Sequence, residues 1–315
     1  MTLVNLEQIY QARERLRGVI LHTPLLPHHG VFLKPESFQP IGSFKIRGAF
    51  NKTAALAEQN PAGIIAHSSG NHAQGVAFAA QKLGLPAVIV MPTNAPAVKV
   101  EATRSYGAEI IFYDVATEKR DVVSKRVEDE RPGWALVHPF NDEYVIAGQG
   151  TIGLEIFEDF PDVEQVIVPI GGGGLASGVA TALKCLKPSV KVIGVEPELA
   201  ADARESLAQG RVVEWAATDT NRTIADGVRT VSIGALTFAH LQAYIDEIIT
   251  VSEAEIREAV RRLALDAKLV IEPAGAIPYA VWFSQRDQLP VKRNTVLVLS
   301  GGNIDPKLLA SIVGI

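Results

Sequence analysis

Six short runs of β-branched and aliphatic residues, 64–66, 87–91, 110–113, 166–170, 190–195 and 295–299, punctuate this chain. Runs so short and so uniformly apolar predict strands buried on both faces, and the three-to-four-residue apolar spacing between most of them, as at 98–106, 122–127 and 175–186, predicts helices. Strand and helix in alternation imply an α/β fold of open, mostly parallel sheets with flanking helices. Ser252 followed by Glu255 is a capping box, and Ile256, Val260 and Leu263 then form one apolar stripe. The stretch 210–223 follows neither period and reads as irregular.

Composition removes whole classes of function. The 315 residues carry 30 Lys and Arg against 35 Asp and Glu, a net charge of −5, with no basic run, which argues against a nucleic-acid partner. No stretch reaches the roughly 18–20 apolar residues of a membrane span. Residues 1–17 place Glu7, Arg13, Glu14 and Arg15 among apolar residues at helical spacing, unlike a signal peptide. Cys185 is the single cysteine and the seven histidines show no zinc spacing, so a reducing cytoplasm is the expected setting.

Four glycine-bearing polar segments carry chemical meaning. In residues 42–49, Lys45 lies between Phe44 and Ile46; a surface lysine is the ordinary alternative, but a lysine in an apolar niche is a candidate Schiff-base nucleophile. Residues 67–73 follow a strand and open a helix, so Ser68, Ser69, Gly70, Asn71 and His72 suit an anion, although Ser and Asn there also serve as plain helix caps. Gly171, Gly172, Gly173 and Gly174 repeat the strand–loop–helix plan without side chains, and successive N–H groups can converge on a phosphate. Gly171, Gly173 and Ala176 also satisfy a relaxed dinucleotide pattern, with Glu196 as the ribose acid, so an NAD-dependent dehydrogenase stays open at this point. Residues 299–303, with Ser300, form a fourth polar turn at a strand end.

In this order, over nearly the whole chain from Thr23 to Asn303, the four motifs resemble the fold-type-II pyridoxal-phosphate enzymes, and most closely the serine racemase and serine/threonine dehydratase group. The resemblance implies a tryptophan synthase β-like fold with a large domain, residues 1–52 and 143–315, and a small mobile domain, 53–142, in a homodimer. Lys45 is then expected to hold pyridoxal 5′-phosphate as a Schiff base with Phe44 beside the ring, Asn71 to meet the 3′-oxygen, 171–174 with Leu175 to cradle the phosphate, and Ser300 to face the pyridine nitrogen. A neutral serine there weakens the electron sink and favours elimination or reprotonation over transamination. The implied reaction is α,β-elimination from serine, threonine or 3-hydroxyaspartate to a 2-oxo acid and ammonia, with Lys45 as base.

Ser69 stands where racemase-like members carry a second base on the opposite cofactor face, so racemisation is a further expectation. Glu196, Ala200 and Asp202 match a divalent-cation site suited to Mg²⁺, Ca²⁺ or Mn²⁺, a reading that competes with the ribose one. Arg120 and Thr230 fall near the family's substrate-carboxylate and phosphate positions. Pro40 and Ile41 replace a Lys-Thr pair of nucleotide-activated members, which argues against ATP activation, and Phe140 is dehydratase-like. The chain ends soon after Ser300, without room for the regulatory domain of long threonine dehydratases. A β-replacement synthase of the same fold is the remaining alternative.

Overall fold

The computed structural model describes residues 2–68, 70–291 and 293–314. Its strands are β1 (Leu26–His28), β2 (Val31–Pro35), β3 (Gly63–His67), β4 (Ala87–Pro92), β5 (Glu109–Tyr113), β6 (Trp134–Leu136), β7 (Gln165–Pro169), β8 (Lys191–Pro197), β9 (Glu247–Val251) and β10 (Thr295–Leu299). They form a six-stranded sheet in the order β1-β2-β10-β7-β8-β9 and a four-stranded sheet in the order β5-β4-β3-β6. Only the β1–β2 hairpin is antiparallel. Each sheet has apolar clusters on both faces, which is why β3, β4, β7 and β10 are buried throughout instead of alternating.

The two sheets meet through packed helices. Lys45–Ala57 lies against Asn71–Leu83 and Glu143–Asp159, and the last of these lies against Gly174–Leu186. A Cβ at Gly148 would come within 2.6 Å of the Arg47 carbonyl oxygen, so only glycine lets these helices cross so closely. Four buried charges rivet the same seam. Arg47 Nε lies 2.7 Å from Glu36 and its Nη1 2.6 Å from Glu155, while Lys34 Nζ reaches Glu155 at 2.6 Å. Lys45, two residues before Arg47, therefore starts a helix whose position is fixed on several sides.

The strands expected from the sequence all form. β1, β2, β6 and β9 were not anticipated. The irregular reading of 210–223 holds except for the single turn Ala217–Thr220, and the Ser252–Glu255 capping box forms in both directions. Among the described residues, no helix is long and apolar enough to cross a membrane.

Candidate active site

Parallel strands deliver their carboxyl ends to one edge of a sheet, and the loops there are free to hold ligands. β3 runs into residues 68–72, β7 into the four glycines and β10 into Ser300. Short backbone bonds assemble these loops around Lys45. The Phe44 N–H donates to the Ser300 carbonyl at 3.0 Å, the Gly302 N–H to Gly42 at 2.9 Å, and Ser43 bridges Gly301. Asn303 Nδ2 donates to Asn71 Oδ1 at 2.8 Å, and Asn71 Nδ2 donates to Glu272 Oε1 at 2.5 Å. Phe44, Lys45, Asn71 and Ser300 thus occupy one neighbourhood.

Lys45 Nζ donates to the Pro139 carbonyl at 2.9 Å and lies 5.2 Å from the Phe44 ring centre. Burial pushes its ammonium down to about 8, against a smaller upward pull from Glu272. At neutral to mildly alkaline pH much more of this amine is neutral, and nucleophilic, than for a solvated lysine.

The glycine loop lies beside the same segment. Phe140 packs directly on Gly172, and a Cβ at Gly174 would come within 3.0 Å of the Phe140 Cβ. At Gly171 the obstruction is Val228, and at Gly173, where φ is +89°, it is Thr237. The loop is therefore glycine for packing reasons as well as for its bare backbone. Among the described residues, the N–H groups of 171–175 form no hydrogen bond. Buried donors in that state are costly unless an anion meets them, which fits a phosphate.

Other expected site residues fall differently. Gly70 opens the helix Asn71–Leu83, with its N–H bonded to Ser68 Oγ at 3.2 Å. The His72 imidazole turns into the four-stranded layer and bonds the Val137 carbonyl at 2.9 Å, with burial and then Lys45 holding its pKa well below the ordinary value. Its ring is therefore directed at the protein interior, and only its backbone remains for a substrate. Arg120 begins the helix Arg120–Glu130 beyond β5 and is half-buried. Thr230 Oγ1 is buried without a hydrogen-bond partner, two residues after the Val228 that covers Gly171. Ser69 lies outside the described residues.

Glu196, at the end of β8, is fully buried and accepts the N–H groups of Ala203 and Arg204 at 2.9 and 2.8 Å. Burial, then the nearby Asp202, raise its pKa well above the carboxylate range. Asp202 is buried too, and neither carboxylate oxygen has a hydrogen bond of good geometry, only weak backbone help from its own N–H and that of Ile233. Burial pushes it up to about 7. Among the described residues no cluster of three or more His, Cys, Asp or Glu side chains forms a metal centre.

Residues overlooked in the sequence complete the picture: Asn303 beside Asn71, Glu272 beneath it, and Lys99 paired with Asp226 and Glu272. Asn303 belongs to the fourth motif and was within reach. The others have no local signal.

A buried amine of lowered pKa, facing a loop of unpaired N–H groups at the carboxyl edge of a parallel sheet, defines an aldehyde- and phosphate-binding enzyme. Residues 16–301 match the family described as pyridoxal-phosphate dependent enzyme, and the chain belongs to it. The NAD-dependent alternative falls with that match, and Glu196 spends both oxygens on the helix that follows it.

Within the family, the chain is 44% identical to the L-threonine ammonia-lyase of Thermotoga maritima over 321 residues, covering 99% of this chain and 78% of that one. It is 40% identical to the L-threo-3-hydroxyaspartate ammonia-lyase of Saccharomyces cerevisiae, covering 97% and 95%. Among solved structures, maize serine racemase superposes with a TM-score of 0.92 at 39% identity, covering 98% of this chain and 97% of the other. The chain is a pyridoxal-phosphate enzyme of the group that holds these ammonia-lyases and serine racemases.

Proposed function

We propose that this enzyme removes water and then ammonia from a small β-hydroxy amino acid, serine, threonine or 3-hydroxyaspartate, leaving a 2-oxo acid. The observation that carries the reading is the joint placement of Lys45, at about 8, and the unpaired N–H groups of 171–175 around the Pro139–Phe140 link. When bound, pyridoxal phosphate supplies an electron sink for the substrate's α-carbon. Lys45 holds it covalently through its amine. The glycine-loop donors hold its phosphate, Asn71 and Ser300 flank the ring, and Phe44 covers it. Once substrate has displaced Lys45, the freed amine takes the α-proton, and the β-hydroxyl leaves as water. Ser68, Gly70 and the backbone of Asn71 and His72 take the substrate carboxylate, with Arg120 and Thr230 at the margin.

Ser69 is assigned as acid/base on the face opposite Lys45, giving inversion at the α-carbon as a second activity. This assignment is supported by its place in the sequence and by the racemase among the relatives. The residues at Glu196 and Asp202 fit a divalent cation: two adjoining buried carboxylates, one with both oxygens short of hydrogen bonds, need positive charge or a proton. Glu196, Asp202 and the Ala200 carbonyl would hold it, with a structural part at the end of β8. The small domain, 53–142, closes over the site, and a homodimer in a reducing cytoplasm completes the reading. Half-exposed Phe38 and Val270, lining a 300 Å³ pocket, and the lone Cys185 support that last part.

The holoenzyme assayed on a panel of L- and D-hydroxy amino acids should release 2-oxo acid from at least one L-substrate. Lys45→Ala should abolish this, together with the borohydride-sensitive absorbance of the held cofactor. Ser69→Ala should lose inversion and D-substrate turnover but keep most L-dehydration. Near-normal turnover in Lys45→Ala, or equal loss of every activity in Ser69→Ala, contradicts the respective assignment.

A further inference from the structure

The Gly70–Asn71 turn is held by charges that come from two different sheet layers. Lys99 lies on the helix Ala97–Ser105 that follows β4, in the four-stranded layer. Its Nζ is 2.6 Å from Asp226 Oδ2 and 3.6 Å from Glu272 Oε2, both outside that layer. Glu272 gives its other oxygen to Asn71 Nδ2. The Lys99 stem passes close to Gly70, where a Cβ would lie 3.3 Å from Lys99 Cδ. The side chains of Lys99 and Glu272 are 5% and 2% exposed, that of Asp226 27%.

We propose that Lys99, Asp226 and Glu272 form a charge clamp between the two layers, in which Lys99 is a positioning residue that fixes Glu272 and, through it, the Asn71 side chain at the site. An ionised carboxylate only accepts hydrogen bonds, so it orients the Asn71 amide with NH₂ towards Glu272 and oxygen towards Asn303. A protonated Glu272 offers a donor as well, and the amide is free to turn over. The groups facing Glu272 are Lys99, Asp226, Asn71 and, at longer range, Lys45. Burial raises Glu272, Lys99 is the largest pull back down, and Asp226 adds a further push upward. Burial likewise opposes the charge of Lys99, but Glu272 and Asp226 outweigh it and hold its pKa above the ordinary value. The clamp rests on the elimination reading only for the kinetic arm of its test.

Lys99→Met keeps the stem beside Gly70 and removes the charge. Without the ammonium, the folded-state pKa of Glu272 rises further above its unfolded value, so the folded chain gains a proton that the unfolded chain lacks. Acid then stabilises the variant relative to wild type: its Tm deficit should be largest near pH 8 and shrink towards pH 5, in the apo-protein as in the holoenzyme. Asp226→Asn should show the opposite slope, because it lowers the same pKa. In the holoenzyme, Lys99→Met should lower kcat/KM at pH 8 at least tenfold. Lys99→Met/Glu272→Gln should recover at least threefold of that, since glutamine keeps an acceptor for Asn71 without an orphaned charge. A Tm deficit independent of pH, wild-type kinetics in Lys99→Met, or a double variant no better than the product of the singles overturns the clamp. If the wild-type enzyme eliminates none of the hydroxy amino acids, the proposed function fails, while the Tm profiles still judge the clamp.

Discussion

Two sets of buried charges touch the six-stranded sheet and are built in opposite ways. At the seam, Lys34 and Arg47 face Glu36 and Glu155, two cations against two carboxylates, with Thr23 also bonded to Glu36. At the end of β8, Glu196 and Asp202 lie together, and Asp202 has no cation and no good hydrogen bond among the described residues. Burial opposes the charge of Arg47, yet Glu36 and Glu155 more than restore it and raise its pKa; Asp202 is simply pushed up. A balanced buried set is complete without help and serves the architecture. An unbalanced one is a capacity to bind.

Breaking the balanced set should have the largest effect. Arg47→Met leaves two carboxylates uncompensated in the interior and should cost about 3–5 kcal/mol, read as a lower midpoint in denaturant with an unchanged slope. A loss under about 1 kcal/mol would mean that water or side-chain rearrangement reaches the seam.

Chelation tests the unbalanced set. A cation at about 100 times its Kd stabilises by about 2.7 kcal/mol, and chelator should remove that. The sign with pH is definite: the folded-state pKa of Asp202 is raised from 3.8 to about 7, so the chelated protein loses stability as pH rises through that window. Added Mg²⁺ or Mn²⁺ should abolish the loss, and Asp202→Asn should be indifferent to both metal and chelator. Identical melting with chelator and with metal across this range would remove the cation from the proposal. Ser252→Ala provides the smallest effect, about 1 kcal/mol from a lost helix cap, and should respond to neither chelator nor metal.

The comparison also explains what the sequence disclosed. Strands buried on both faces announce themselves as apolar runs, and the loops after β3, β7 and β10 announce themselves by glycine. β2 was hidden because Lys34 and Pro35 interrupt it; the lysine is tolerated only because Glu155, far along the chain, pairs with it. β1 and β6 span three residues each, too few for a period. Lys45, Phe44, Asn71, Ser300 and the glycines were legible because each motif is contiguous. Lys99, Asp226 and Glu272 were not, since their meaning arises only when two layers pack, and the direction of the His72 ring depends on a carbonyl from β6's flank.

Pro139 and Phe140 are consecutive residues, yet one accepts the Lys45 proton and the other is wedged on Gly172 and Gly174. The two proposed anchor points of the cofactor, its aldehyde end and its phosphate end, are thereby gauged against each other by a single peptide unit. His138 Nδ1 stiffens the gauge by accepting the N–H groups of Phe140 and Asn141 at 3.3 and 2.9 Å. A side chain added at Gly172 would thus be felt at the lysine as well as at the phosphate, so replacing these glycines cannot isolate phosphate binding. Shortening the ligand can: pyridoxal without its phosphate leaves the gauge untouched while leaving one of its ends without a load.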